Sequence, residues 1–231
     1  AWGNWYKEEQ SRSRMLVRLQ LARKLKDYGF FYMPYTLDFR GRAYTVCELL
    51  SCQGIDFDRA LIHFAKPIPQ TDRGLYWLKV HTANLFDQDK ITYAKRVQWV
   101  DDNMEMIQGI ANDPYTNRGW VSDAKKKNPS FQRLAACFEL CRTDGMTQLP
   151  IQKDGANNGV QHWSAIMRDE KLARLTNVLP SDTPQDLYQY VADNTYEVLS
   201  NNNDDVEWYD KFVNHWSDGL PRKLAKRSTM C

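Results

Sequence analysis

Three groups of residues in this chain have the types and spacing to do chemistry. The first is Asp154-Gly155, which follows the weakly alternating run Leu149-Pro150-Ile151-Gln152-Lys153 and precedes the turn-forming Asn157-Asn158-Gly159. This pattern predicts a short strand, a turn and then a helix in which Val160, Trp163, Ala165, Ile166 and Met167 recur at helical spacing. A carboxylate where a strand stops, beside a main-chain carbonyl released from its ladder, suits a hard cation such as Mg²⁺. An Asp-Gly turn joining strand to helix accounts for the same spacing without a metal. The second group is Arg222 and Lys226, four residues apart and just after Pro221, which suits the first turn of a helix. Cations there oppose the helix dipole at a cost of about 0.3–1 kcal/mol each, and a docked anion such as a nucleoside triphosphate removes that cost. The third is Asp38-Phe39-Arg40-Gly41-Arg42, a turn between two β-rich runs (Phe30–Leu37 and Ala43–Val46), which predicts a hairpin. Glycine permits close backbone approach and arginine forks onto phosphate.

The rest of the chain must position these groups. At 231 residues, 42% apolar and 26% charged, it is long enough and apolar enough for a real core. The net charge of +2 does not announce a polyanion partner, but its distribution does more. Residues 1–30 carry +4, residues 217–231 carry +3, and the middle is acidic. Basic ends around an acidic centre fit a protein that grips polyanions at its edges, although solvated charged faces explain any one cluster equally well. Five cysteines, at 47, 52, 137, 141 and 231, have neither zinc-knuckle spacing nor a histidine close by, which points to reduced thiols. There is no run of 18 apolar residues and no signal peptide, so no membrane partner is expected.

Apolar periodicity predicts a helix over residues 11–28 with Val17, Leu21, Leu25 and Tyr28 as its stripe and a basic outer face. It predicts a helical face of Trp77, Leu78, His81 and Leu85, with His81 a core histidine. It further predicts helices over 94–110, over Pro129–Cys141 with Phe131, Leu134, Ala135, Phe138 and Cys141 inward, and over 184–199. Asp113–Gly119 reads as a loop, Lys125-Lys126-Lys127 as a solvated basic turn, and Asn201–Asp205 as a loop tip.

The segment from Asp154-Gly155 through Gly159-Val160-Gln161-His162, with Ser164-Ala165, Arg168-Asp169-Glu170, Asn177–Ser181 and Gln185–Tyr188, resembles the single-subunit DNA-dependent RNA polymerases of phages and mitochondria. Asp38-x-x-Gly41-Arg42 reproduces a second signature of that family, and Arg222-x-x-x-Lys226-Arg227-Ser228 a third, in the same order. The resemblance covers roughly residues 11–231. It implies an α+β, mostly helical fold: part of a right-handed polymerase palm with a small antiparallel sheet, a helical insertion and the start of the fingers. Residues 1–29 would be a helix entering from the thumb. Residues 30–200 would be palm, with its insertion at about 66–145 and its strands at 30–50 and 148–155. Residues 201–231 would be a linker and the first fingers helix, at 217–231. Asp154 and the Gly155 carbonyl would supply half of a site for two Mg²⁺ ions, which one carboxylate cannot hold alone, with Asp154 and Lys226 catalytic. Arg222, Lys226 and Arg227 would bind the nucleotide, and Asp38, Gly41 and Arg42 the nucleic acid.

The implied activity is DNA-directed RNA synthesis by two-metal nucleotidyl transfer, with DNA template, RNA transcript and ribonucleoside triphosphates as partners. The family's ribose-sensing tyrosine and second catalytic aspartate fall beyond Cys231. The expectation is therefore one subunit of a split, heterodimeric enzyme, or a fragment, inactive without a second polypeptide and relying on other proteins for promoter recognition. An intracellular setting follows, the host cytoplasm for a phage enzyme or else a mitochondrion. Two other classes stay open: a DNA polymerase of the same palm type, and a nucleic-acid-binding scaffold without catalysis.

Overall fold

The computed structural model describes residues 2–121, 129–153, 157–181, 183–201 and 219–221, and the side chains of residues 2–10 are not among them. The chain divides into two compact units, Ala1–Gln152 and Lys153–Cys231. The described residues are mostly helical with small antiparallel sheets, an α+β composition.

The first unit opens with α1 (Trp2–Lys26). Its inward side is Met15, Arg18, Leu19, Leu21, Ala22 and Leu25, so Leu21 and Leu25 of the expected stripe face inward whereas Val17 and Tyr28 are exposed. The reason is tertiary. Arg18 turns inward to Asp58, a fully buried carboxylate, and its Nε lies 2.7 Å from Oδ1, close enough for an ion pair though not aligned as a hydrogen bond. Gly54 makes room for that acid, because a Cβ there would stand 2.6 Å from Asp58 Oδ2.

Strands β1 (Tyr35–Leu37) and β2 (Ala43–Thr45) then form the hairpin expected around Asp38–Arg42. After α2 (Asp56–Leu61), β3 (Ile68–Pro69) leads into α3 (Asp72–Leu85), which is capped by the Thr71 hydroxyl. The helix expected over 94–110 is two, α4 (Tyr93–Asp102) and α5 (Met104–Asn112). The chain breaks at Asn103, whose side-chain amide donates to the Trp99 carbonyl at 2.7 Å and so competes with the main-chain ladder. A 3₁₀ turn at Arg118–Trp120 follows, after a loop in which Asp113 Oδ1 accepts the N–H groups of Tyr115 and Thr116. Then come α6 (Ser130–Leu140) and β4 (Met146–Thr147), which pairs with β3. The core gathers Ala83 from α3, Val100 from α4, Ile107 and Ile110 from α5 and Cys137 from α6. Each large aliphatic side chain buried there contributes about 1.5–3 kcal/mol. His81 is buried on α3 as expected, and desolvation lowers its pKa to about 4.

Two expectations fail around α6. Phe138 is exposed, and the buried face carries Gln132, Arg133 and Glu139 beside Ala136 and Cys137. Each buried polar group has a distant partner. Asp56 accepts the N–H groups of Phe131 and Gln132 at 2.7 and 3.1 Å, capping the helix from 75 residues away. Arg133 donates to the Leu85 carbonyl and pairs with Asp87 at 3.0 Å. The strand expected at Leu149–Lys153 is not a strand in the structure, where the paired residues are Met146 and Thr147. Period-2 alternation creates a candidate strand, but a ladder also needs a partner strand alongside.

In the second unit, Asn157 takes a left-handed conformation (φ +60°) at the start of α7 (Asn158–Met167). Arg168 (φ +54°) ends that helix, and Asp169 caps α8 (Glu170–Leu175) by accepting the Leu172 N–H at 2.9 Å. The side chain of Asn177 bonds both main-chain groups of Gln185, which sets the approach to α9 (Leu187–Asn201). Ser164, not Trp163 or Ile166, is buried on α7.

Candidate nucleic-acid interface

The hairpin is the one part of the expected site that lies within the described residues. Its loop is Phe39–Gly41, three residues closed by a 3.0 Å bond from Asp38 N–H to the Arg42 carbonyl. Three-residue hairpin loops end in a left-handed residue, and Gly41 supplies it at φ +73°. Space is not the constraint, because a Cβ on Gly41 would meet nothing within 4 Å.

Asp38 organises the turn. Its Oδ1 accepts the N–H groups of Arg40 at 2.9 Å and Arg42 at 3.0 Å. Its Oδ2 accepts Arg40 Nε at 3.0 Å and Nη2 at 2.9 Å. An ionised carboxylate has about four acceptor sites, so this one is fully engaged. The Arg42 N–H above all, and then Arg40, hold the Asp38 carboxyl below its ordinary pKa. Arg40 also reaches the Tyr44 hydroxyl at 3.4 Å and lies over the Phe39 ring, 5.4 Å from its centroid.

Arg42 is arranged differently. Only its main chain is held, and no hydrogen bond or ion pair among the described residues engages its exposed guanidinium. The hairpin thus presents one neutralised cation and one uncommitted cation. Beside them Phe39 is exposed almost completely, at 96%, and Tyr44 is exposed as well. Cations beside exposed aromatic rings make a surface that can take phosphates and bases together.

Asp154, Gly155, Arg222, Lys226 and Arg227 lie outside the described residues. What the structure gives is the chain leading toward Asp154. The Glu139 carboxylate, almost fully buried, accepts the Thr147 hydroxyl at 2.7 Å and the N–H groups of Gln148 and Leu149 at 2.6 and 3.2 Å, all on Oε1. Burial pushes its pKa up, but these bonds and the nearby Arg142 guanidinium outweigh burial and leave it below the usual carboxylate range. Sequence reasoning missed both Glu139 and Arg40. No local spacing signals Glu139. For Arg40, the signal was available in the turn, where a residue two beyond an aspartate falls within reach of its carboxylate.

A family profile described as DNA-dependent RNA polymerase matches residues 68–231. This chain belongs to that family, in its phage and mitochondrial branch. It is 37% identical over 220 residues to the mitochondrial DNA-directed RNA polymerase of Schizosaccharomyces pombe, covering 92% of this chain and 18% of the relative. It is 36% identical over 203 residues to T7 RNA polymerase of Escherichia phage T7, covering 84% and 22%. To the mitochondrial DNA-directed RNA polymerase 1 of Arabidopsis thaliana it is 32% identical over 226 residues, covering 93% and 23%. The chain therefore spans about a fifth of the length of these curated relatives. No helix among the described residues is long and apolar enough to cross a membrane.

Proposed function

We infer that this chain supplies part of the nucleotidyl-transfer centre of a DNA-directed RNA polymerase, in which the hairpin holds nucleic acid and Asp154 anchors metal. The observation that carries the reading is the division of labour in the hairpin within a chain of this family. Asp38 is spent on the turn and on Arg40, and no group among the described residues compensates the charge of Arg42. A guanidinium so presented suits a phosphate of the template or transcript.

Asp154 with the Gly155 carbonyl would supply ligands to Mg²⁺, and a second carboxylate would come from polypeptide outside these residues, in the same chain or another. Bound in pairs, such ions activate the attacking 3′-hydroxyl and stabilise the leaving pyrophosphate. Arg222 and Lys226, with Arg227 beside them, would orient the triphosphate and offset its charge as the new bond forms. Residues 30–200 would then be palm and 217–231 the beginning of the fingers. Promoter recognition would rest with other polypeptide.

The test is template-directed ribonucleotide incorporation by the enzyme that contains this chain, as wild type, Asp154→Asn and Lys226→Ala. Asp154→Asn keeps the shape and removes the charge, and is expected to abolish incorporation with template binding retained. Lys226→Ala is expected to lower kcat/KM for nucleotides by about 10- to 1000-fold. Incorporation by Asp154→Asn within about tenfold of wild type refutes the assignment. A preference for deoxyribonucleotides would move the reading to a DNA polymerase.

A further inference from the structure

The two edges of the hairpin are not equivalent. In an antiparallel pair, residues whose N–H and C=O meet across the ladder alternate with residues whose N–H and C=O point away. Val46 N–H donates to the Pro34 carbonyl and Asp38 N–H to the Arg42 carbonyl, each at 3.0 Å, and Thr36 stands opposite Tyr44 between them. The alternation therefore turns the main-chain groups of Tyr35 and Leu37 outward from β1, and those of Ala43 and Thr45 outward from β2.

The β2 edge is covered. The Gln53 side chain accepts the Thr45 N–H at 3.2 Å and donates to the Ala43 carbonyl at 2.8 Å, the two bonds a neighbouring strand would make. Ser51 steadies this cap, accepting the Gln53 N–H at 3.1 Å and bonding the Thr45 hydroxyl. The β1 edge has no such cover among the described residues. No hydrogen bond among the described residues engages the outward N–H and C=O groups of Tyr35 and Leu37, and their side chains are 53% and 70% exposed.

We propose that the β1 edge receives an extended polypeptide strand from the part of the polymerase outside residues 1–231, making the hairpin a three-stranded sheet. The proposal rests on the polymerase reading for the source of the strand. The open edge offers alternating donors and acceptors. A second strand satisfies both, whereas a nucleic-acid backbone, rich in acceptors, leaves the two carbonyls unpaired. A two-stranded ribbon is marginal in water, and this one buries neither Tyr35 nor Leu37, which share a face that a strand with apolar residues at alternate positions would cover. About four-fifths of the length of the relatives lies outside the matched region, so most of the polypeptide that could supply such a strand is elsewhere. Covering one edge and leaving the other open fixes the side on which the strand adds.

The proposal is tested first on the chain itself by amide hydrogen exchange read by NMR. The probe is a capped, extended hexapeptide of alternating threonine and valine flanked by lysines. In the free chain, Leu37 N–H should exchange at least about tenfold faster than Thr36 N–H. With the peptide, Tyr35 and Leu37 should become protected and Thr45 should not change. Leu37→Pro removes an outward N–H without touching the β2 ladder, and should abolish peptide protection while Thr36 stays slow. Should that variant not fold, Gln53→Ala serves instead: it uncovers β2, and Thr45 should then become protected by the peptide as well. A free chain in which Leu37 is already as slow as Thr36, or a peptide that protects no β1 amide, overturns the proposal. The second arm is the incorporating enzyme, where Leu37→Pro should weaken assembly or incorporation by about tenfold or more. Assembly and incorporation both unchanged overturn the proposal. Absence of incorporation by wild type speaks against the polymerase reading and leaves the exchange result standing.

Discussion

Replacing Arg42 by alanine isolates the charge that the hairpin holds out. Its guanidinium has no partner among the described residues, so the substitution should cost the folded chain little, because only the main chain of Arg42 is part of the turn. The effect should appear in nucleic-acid binding. One phosphate neutralised contributes about 0.9 to the slope of log K against log salt on duplex and about 0.7 on a single strand. Arg42→Ala should therefore flatten the slope by about 0.7–0.9. A charge-assisted hydrogen bond is worth about 1.5–3 kcal/mol, so affinity at low salt should fall by about 10- to 150-fold. Arg40→Ala is the control that gives the measurement its meaning. Arg40 is already bonded through two nitrogens to Asp38, so its removal should leave the slope nearly unchanged. The assay is fluorescence anisotropy of a labelled template–RNA hybrid with the enzyme containing this chain, over a series of salt concentrations, with melting temperature recorded beside it. Equal slope losses for the two arginines would refute the division of labour. So would an unchanged slope for Arg42→Ala together with a lowered melting temperature.

Two further outcomes follow from buried ionisable groups. His81 titrates at about 4 when folded and at about 6.5 when unfolded, so the unfolded chain takes up a proton first as pH falls. Its contribution should be constant above about pH 6.5 and lost between there and pH 4, about 3 kcal/mol in all. Urea unfolding of wild type and His81→Leu across that range checks this, and identical pH dependences would count against it. Glu139 has the opposite sign: its lowered pKa gives stability that is present above its unfolded value and lost as pH falls below it. Because three donors converge on its Oε1, Glu139→Ala should destabilise by about 3 kcal/mol or more and Glu139→Gln by about 1 kcal/mol. Loss of exchange protection at Gln148 and Leu149 should accompany the alanine variant, and its absence would show that the segment is held by something else.

The hairpin was legible in the sequence because its determinants are local. Asp38, Gly41 and the flanking β-rich runs specify a loop of known length, and Gly41 supplies the left-handed residue that loop requires. Helices α3, α6 and α9 were legible from periodicity, and His81 from its place on an apolar face. The buried side of α6 was legible only in part: Leu134 and Cys141 pack on the core as expected, but Phe138 is exposed. Gln132, Arg133 and Glu139 are inside because Asp56, Leu85, Asp87 and Thr147–Leu149 meet them there, and no window around α6 contains most of those partners. The same holds for α1, where a buried Asp58 draws Arg18 inward beside Leu21 and Leu25 while Val17 and Tyr28 of the expected stripe are exposed. A polar residue at a core position reads as surface until its partner is known. The expectation of an extra strand before Asp154 failed for the complementary reason, since a ladder is a property of two segments.

A hairpin proposed to meet a polyanion has a carboxylate at its centre, and its bonds give the reason. Asp38 accepts four bonds, two from main-chain N–H groups that fix the loop and two from the Arg40 fork. An uncharged asparagine could accept the main-chain pair through its oxygen, but its amide nitrogen would face the Arg40 donors with no lone pair to offer. The carboxylate is thus needed to hold loop and fork together, and Arg40 in turn cancels the charge that would repel phosphate. The loop is rigid and nearly neutral as a result. One residue past it, Arg42 leads into β2 with its main chain held by the same carboxylate oxygen and its guanidinium without a partner among the described residues. On the proposed reading, the acid would serve phosphate binding indirectly, by fixing the position from which a separate cation reaches out.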